Sequence, residues 1–528
     1  MKTTFIKSFS LAFTSIVLLT DCTKKFDDVN TNPASYSQSN FDPNYLLTTA
    51  QLTYTGSTDF SYETWRGNLI YASTLMQGLS TVVGYWAGDK YLLNEGYTAA
   101  YWQVAYPEQV KPIVDLVQFT KDKAQFKNLY QISRLMRVLI MHRITDLYGD
   151  VPYFQAGLGY YSATFFPKYD AQQSIYADLL KETEEAINAL DPAADKPAGD
   201  VFYKGNIDQW KRFGYSLMLR LAMRLTKADP NTAQAWATKT VGKTFTGNAD
   251  NAFVRHDATG GRTTINRNSQ VLIGDGGQEH YYVKWSKTFI DFLKATNDPR
   301  LGKVAVTQLY TSETAKTQNA SFNTNPAVQK GMPNGKDLSG IAGRDISSDP
   351  FYTTFPDYSS PHPGMIKREG NTFVLTYAET ELLLADAAQR FGIGGAASAA
   401  THYNNGVKAA MTYLGQYDAA MAITDAAADA WLTANPYVAA NGLVMINNQY
   451  WVHQNTKLDF YESWSNWRRT GIPNLTPVVY PNNATNGTIP RRFPYPSFEA
   501  AANPDNYNAA RGAVPGGDNL TGRVWWDK

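Results

Sequence analysis

Apolar residues that return every three or four positions constrain this chain more tightly than any other feature. Ile132, Leu135, Met136, Leu139, Ile140, Ile144 and Leu147 share one face only if the backbone is helical. Gly149 halts that helix and Asp150-Val151-Pro152 turns the chain away. A second stripe (Ile175, Tyr176, Leu179, Leu180, Ile187, Leu190) closes at Asp191-Pro192, and a third (Phe213, Leu217, Leu221, Leu225) closes near Asp229-Pro230. A fourth helix runs from about Tyr377 through Leu382, Leu383 and Ala387 to a break at Phe391-Gly392, and a fifth from about Ser398 to Tyr413. Small residues in the fourth (Ala378, Ala385, Ala387, Ala388) let a partner helix approach closely. Tyr377 and Met411 lie roughly 34 positions apart, the period of a tetratricopeptide helix pair. Segments 231–370 and 415–528 are richer in Gly, Asn, Thr and Pro and read as long loops with short strands or helices. The expected fold is mostly α: helix pairs carrying long loops and a few short strands.

The first thirty residues follow a different logic. Lys2 and Lys7 precede a short apolar stretch (Phe9, Leu11, Ala12, Phe13, Ile16, Val17, Leu18, Leu19), of signal-peptide length and too short to cross a bilayer as a helix. Cys22, the one cysteine of 528 residues, follows at once. Leu18-Leu19-Thr20-Asp21-Cys22 resembles a bacterial lipobox, with Asp21 where Gly, Ala or Ser is usual. Cys22 is thus expected to carry the acyl chains, palmitate among them, that hold the mature protein on a membrane. An ordinary cleaved signal with a chance cysteine beside it is the alternative. The expected organisation is a signal peptide over 1–21, a lipidated N-terminus and extended lead-in over 22–45, and one helical domain over 46–528.

A net charge of +1, with no basic run, argues against a nucleic-acid partner, which needs clustered Lys and Arg. The 34 tyrosines and 12 tryptophans supply rings with polar edges, suited to the core of a large helical protein and to gripping amphipathic ligands.

Ordered sequence blocks carry a family resemblance. They begin with Asp27-Asp28-Val29-Asn30-Thr31-Asn32-Pro33 and Gly149-Asp150-Val151-Pro152-Tyr153, then Trp210-Lys211-Arg212-Phe213. Tyr377-Ala378-Glu379 with Leu382 to Ala387 follows, then Trp467-Arg468-Arg469-Thr470-Gly471-Ile472-Pro473 and Ile489-Pro490-Arg491-Arg492. This series resembles the SusD/RagB family across essentially the whole mature chain. The resemblance implies a helical fold with tetratricopeptide-like pairs. It also implies a non-catalytic lipoprotein, anchored in the cell outer membrane and facing outward, that binds an oligosaccharide or peptide. Such a protein delivers its cargo to a SusC-like TonB-dependent transporter.

Ligand contacts are expected among aromatics in glycine-rich, irregular surroundings. Tyr85, Trp86, Asp89 and Tyr91, with Gly84 and Gly88 between them, form the best local case: rings to stack on a sugar face and a carboxylate to accept hydroxyl protons. Tyr282 and Trp285, after Gly276-Gly277, form the second, and Tyr97, Tyr101 and Trp102 lie behind the first. For any one of these residues, core packing or transporter contact competes with ligand contact. Arg468, Arg469, Arg491, Arg492 and Trp525-Trp526 are read as holding the fold together. The six histidines lack metal-ligand spacing, and no nucleotide loop, nucleophile elbow or paired-carboxylate pattern stands out. No cofactor is implied. Asp/Asn-rich loops leave a calcium ion open, without EF-hand spacing. A glycan-degrading enzyme on a helical scaffold and an interaction scaffold without a small ligand are the competing classes.

Overall fold

Each apolar stripe lies on a helix and is buried. The computed structural model describes residues 41–528 apart from Phe60, Gly276 and Ala396; Cys22, the signal-like segment and the lead-in up to residue 40 lie outside the described residues. The longer helices are α1 (Asn44–Tyr54), α2 (Lys111–Thr120), α3 (Lys127–Tyr148), α4 (Gln172–Ala189), α5 (Ile207–Arg224), α6 (Pro230–Thr240), α7 (Tyr377–Phe391), α8 (Ser398–Thr412), α9 (Gly442–Lys457) and α10 (Phe460–Thr470). On α3 the whole stripe from Ile132 to Leu147 is without solvent exposure. α3 to α6 pack as consecutive neighbours, α3 on α4, α4 on α5 and α5 on α6. Asp229-Pro230 does not close the third helix as expected. The Asp229 carboxylate accepts the Thr232 N–H at 3.0 Å and caps α6, with Pro230 at its first position, where a missing N–H costs nothing.

α7 and α8 form the expected close pair. The contact depends on Gly406: a Cβ there would stand 2.8 Å from Leu382 Cγ. Ala378, Ala409 and Ala410 pack together beside it, as small residues must where two backbones approach.

The segment 415–528 is far more helical than its composition suggests, with α9, α10 and two ten-residue helices, Asp425–Ala434 and Pro504–Ala513. α9 escaped the periodicity reading because beyond its first turn it is almost wholly enclosed, polar side chains included, from Asn447 and Gln449 to His453, Asn455 and Lys457. A helix enclosed all round has no polar face to generate a stripe. Segment 231–370 is closer to expectation, built of short turns, α6 and the helix Lys287–Ala295. Strands pair only as two-stranded antiparallel ribbons among the described residues, such as Ala252–Arg255 with Asn371–Leu375 and Leu79–Ser80 with Lys284–Trp285.

Buried ion pairs tie the helices of the unit Asn44–Lys528 to one another. Glu379 on α7 meets Arg220 of α5 at 2.5 Å and Lys457 of α9 at 2.9 Å. Lys457 also lies 3.4 Å from Asp459, which meets Arg143 of α3 at 2.9 Å. Arg224 joins Asp146 (3.1 Å) and Glu462 (2.6 Å), and the Tyr450 hydroxyl lies between Glu379 and Glu462. The signature arginines belong to this interior, as expected. Arg468 donates to the Asp146 carbonyl at 2.7 Å and stacks on Trp464 and Trp526, while Arg492 donates to the Tyr148 carbonyl at 2.8 Å. The Trp526 indole donates to Asp146 at 2.9 Å, and Arg491 pairs with Asp527; together these pin the last residues. Isolated charges in such surroundings are prohibitively unstable, so each cation is held against a carboxylate or carbonyl.

Candidate functional site

An open cleft of about 830 Å³ is walled on one side by Trp65, Tyr85 and Tyr97. Its other side is formed by Gly274, Asp275, Gly277, Gln278, Glu313, Thr314 and Lys316. Local structure sets each ring. Trp65 stands on a π-helical stretch, Thr64–Ser73, whose wider turn shifts the register of its side chains. Tyr85 is on the loop that follows the strand Leu79–Ser80. That loop is pressed against the π-helix at Gly88, where a Cβ would stand 2.3 Å from the Ile70 carbonyl oxygen, so no side chain fits. Tyr97 sits on the short helix Glu95–Thr98, capped by the Asn94 side chain accepting the Tyr97 N–H at 3.1 Å.

Trp65 and Tyr85 meet edge to face, centroids 6.0 Å apart and planes at 89°, and form a corner. The Arg66 guanidinium lies 3.8 Å from the Tyr62 ring and 5.4 Å from that of Tyr97, bracing the third ring from behind. The Tyr85 hydroxyl donates a short hydrogen bond to the Glu279 carboxylate, which also lies 3.4 Å from the Trp86 indole nitrogen. Burial first, and then that carboxylate, push the Tyr85 phenol well above its usual range, so it remains a donor. On the opposite side the Tyr282 hydroxyl donates to Glu313 at 2.9 Å, the His280 ring hydrogen-bonds the Glu313 carbonyl at 3.0 Å, and Lys316 donates to the Gly277 carbonyl at 2.7 Å. Asp275 is paired with Arg368. All three rings are half-buried: one face packs on the core and the rest meets solvent. Flat apolar rings opposite hydroxyl- and amide-bonding groups suit ligands with both apolar faces and polar edges, which is the character of a sugar ring.

Of the aromatics singled out in the sequence, Tyr85 lines this cleft and so does Tyr97 of the group behind it, whereas Tyr101 and Trp102 are buried. Trp86, Asp89, Tyr91 and Trp285 have no exposed surface, which leaves no route to a ligand in this conformation. Asp89 accepts from the Asn334 side chain at 2.5 Å and the Gly335 N–H at 2.9 Å, Tyr91 accepts the Val478 N–H at 3.1 Å, and the Trp285 indole donates to the Val304 carbonyl at 2.9 Å. These four are structural, because segments distant in sequence satisfy their polar atoms. Tyr282 is nearly buried and acts at one remove, through Glu313. Trp65 was not nominated by the sequence: it stands apart from the aromatic-rich run that begins at Tyr85, and a π-helical register leaves no periodic signal.

Two other cavities differ in kind. A polar one of about 40 Å³ among Tyr54, Glu63, Arg143 and Asp459 is too small for a sugar, and a recess of about 340 Å³ lies beside Tyr495 and Trp525. Among the described residues no cluster of three or more His, Cys, Asp or Glu could hold a metal ion, and no helix is long and apolar enough to cross a membrane.

The fold defines a mostly helical protein with short two-stranded ribbons and an open aromatic cleft, and comparison places it further. Residues 35–496 match the SusD-like family model described as starch-binding and associating with the outer membrane; the chain belongs to that family. A solved chitin-binding protein is 31% identical, with a TM-score of 0.79 over 92% of this chain and 100% of that one. A SusD-like protein described as Bacteroidetes AC2a is 24% identical (TM-score 0.77; 92% and 100% covered). A chitin-binding SusD homologue from Flavobacterium johnsoniae is 22% identical (TM-score 0.71; 92% and 98% covered). No curated protein sequence matches.

Proposed function

We propose that this protein captures an oligosaccharide of the chitin type at the Trp65–Tyr85–Tyr97 cleft, leaves its bonds intact, and hands it to an outer-membrane transporter. The carrying observation is that three half-buried rings line one open cleft together with carboxylate, amide and ammonium groups. The chitin-binding function of the 31% identical relative points to the same ligand class. An open cleft accommodates an internal stretch of a chain as well as its end, as a receptor for polymer fragments requires. If a sugar on a ring contributes on the scale of an aromatic pair, about 0.5–1.5 kcal/mol, two or three rings together supply about 1–4.5 kcal/mol, which reaches millimolar binding at its upper end.

The rest of the reading places the protein on the outer membrane through an acylated Cys22, beside a SusC-like transporter. A second aromatic surface supports the partner. Phe154, Tyr160, Tyr161, Phe165 and Phe166 crowd one short excursion between α3 and α4, with Tyr160 85%, Phe165 71% and Phe166 65% exposed. Contiguous exposed apolar side chains of this kind mark protein-contact surfaces. Tethering the receptor beside a transporter would raise the local ligand concentration at its mouth.

The test is retention of purified protein on immobilised chitin, followed by chromatography of chito-oligosaccharides after prolonged incubation. Retention with unchanged oligosaccharides is expected. Shortened products would replace this reading with that of a hydrolase.

A further inference from the structure

The two walls of the cleft come from segments almost two hundred residues apart, yet one four-residue turn holds both. At its first position, Glu279 reaches the aromatic wall: its carboxylate takes the Tyr85 hydroxyl proton in a short hydrogen bond and lies 3.4 Å from the Trp86 indole nitrogen. At its second and last positions, His280 and Tyr282 hold Glu313 of the polar wall by its carbonyl and its carboxylate. The turn is itself fixed at its exit, where Lys284–Trp285 pairs with Leu79–Ser80, the strand that leads into the Tyr85 loop. Glu279 is buried, so no ligand touches it; its influence passes through Tyr85.

We propose that Glu279 is the positioning residue of the binding site: it locks the Tyr85 ring at right angles to Trp65 and, through the turn it begins, sets the distance between the walls. This rests on the reading that the cleft is the glycan site. A phenol without an acceptor can rotate its ring about two side-chain bonds, and ordering it on binding then opposes association. With Glu279 in place that ordering is already complete in the free protein. The physical consequence is preorganisation, which shows in affinity for a chain spanning both walls more than in global stability.

The proposal is tested by titrating the purified full-length chain with chitohexaose, following intrinsic tryptophan fluorescence and calorimetry. The proteins are the wild type, Trp65→Ala, Glu279→Gln, Glu279→Leu, Tyr85→Phe and the double variant Glu279→Leu/Tyr85→Phe. Glu279→Gln keeps a carbonyl acceptor and is expected to stay within about threefold of wild type, whereas Glu279→Leu loses roughly tenfold, the scale of one charged hydrogen bond. Because Glu279 acts through the Tyr85 hydroxyl, the double variant is expected to lose little beyond Tyr85→Phe alone. Unfolding temperatures measured in parallel separate loss of the site from loss of the fold. If the wild type binds and Trp65→Ala does not, but Glu279→Leu binds as wild type or its loss adds fully to that of Tyr85→Phe, the positioning role is wrong and the glycan site stands. If Trp65→Ala binds chitohexaose as tightly as the wild type, or the wild type does not bind it, the site reading falls and this inference with it.

Discussion

Glu379 offers the sharpest test of how the interior is held. Its carboxylate is fully buried between Arg220 at 2.5 Å and Lys457 at 2.9 Å, both buried as well. Replacing it by Gln keeps the shape and removes the charge. Lys457 then retains Asp459 at 3.4 Å, but Arg220 is left with uncharged acceptors, the new amide oxygen and the Val374 carbonyl at 3.1 Å, and no carboxylate at bonding distance among the described residues. Breaking a buried pair from one side costs about 3–5 kcal/mol, because the abandoned charge stays buried. Each kcal/mol moves Tm by about 2–4 °C in chains of 150–250 residues and by less in longer ones. With an unfolding entropy of about 2.1 cal/mol/K per residue, a fall of roughly 3–5 °C is therefore expected in a thermal scan at pH 7. The pH dependence gives an independent reading. Burial works to raise the Glu379 carboxyl, but Arg220 and Lys457 outweigh it and hold the group well below the usual carboxylate range. Its stabilisation is thus complete above the unfolded-state value near 4.3 and fades as the pH falls from there. Wild-type Tm is expected to drop more steeply than that of Glu379→Gln below about pH 4.5. Equal Tm values at pH 7, or parallel curves in acid, would refute the reasoning.

Other residues yield predictions of their own. Lys284 is fully buried, hydrogen-bonded to Ser360 at 2.9 Å, and burial lowers its amine to about 7. Between that value and about 10.4 the unfolded state binds the extra proton, so stability should rise with pH there, and Lys284→Met should flatten the rise in unfolding scans at pH 7 and 9.5. Gly406→Leu drives a side chain into Leu382 at the α7–α8 contact and is expected to lower stability by about 1–3 kcal/mol in urea titrations without abolishing helix content. Cys22→Ala is expected to release the protein from the membrane fraction with its circular dichroism unchanged; retention in the absence of a transporter would overturn the lipid anchor.

Much of the frame is legible in the sequence, because α3, α4, α5 and the α7–α8 pair each turn one face to the core and one outward. α9 is not, since burial of Asn447, His453 and Lys457 erases the contrast that periodicity depends on. The site is harder for a related reason. Aromatic density around Tyr85 pointed to a loop that lines the cleft, yet Trp86, Asp89 and Tyr91 turn inward because Glu279, Asn334, Gly335 and Val478, some two hundred or more residues away, supply their partners. Local composition can flag a loop but cannot say which of its rings the distant chain will cover. Trp65 illustrates the converse: the cleft wall it forms exists only once the π-helix, the Gly88 contact and the turn Glu279–Tyr282 have come together.

The account stands most directly on calorimetric titration of wild-type protein and Trp65→Ala/Tyr97→Ala with chitohexaose. It predicts saturable binding by the wild type and a loss of roughly fivefold or more when two of the three stacking rings are removed, about 1–3 kcal/mol in all, with the variant still folded by circular dichroism. Undiminished binding by the double variant would contradict it.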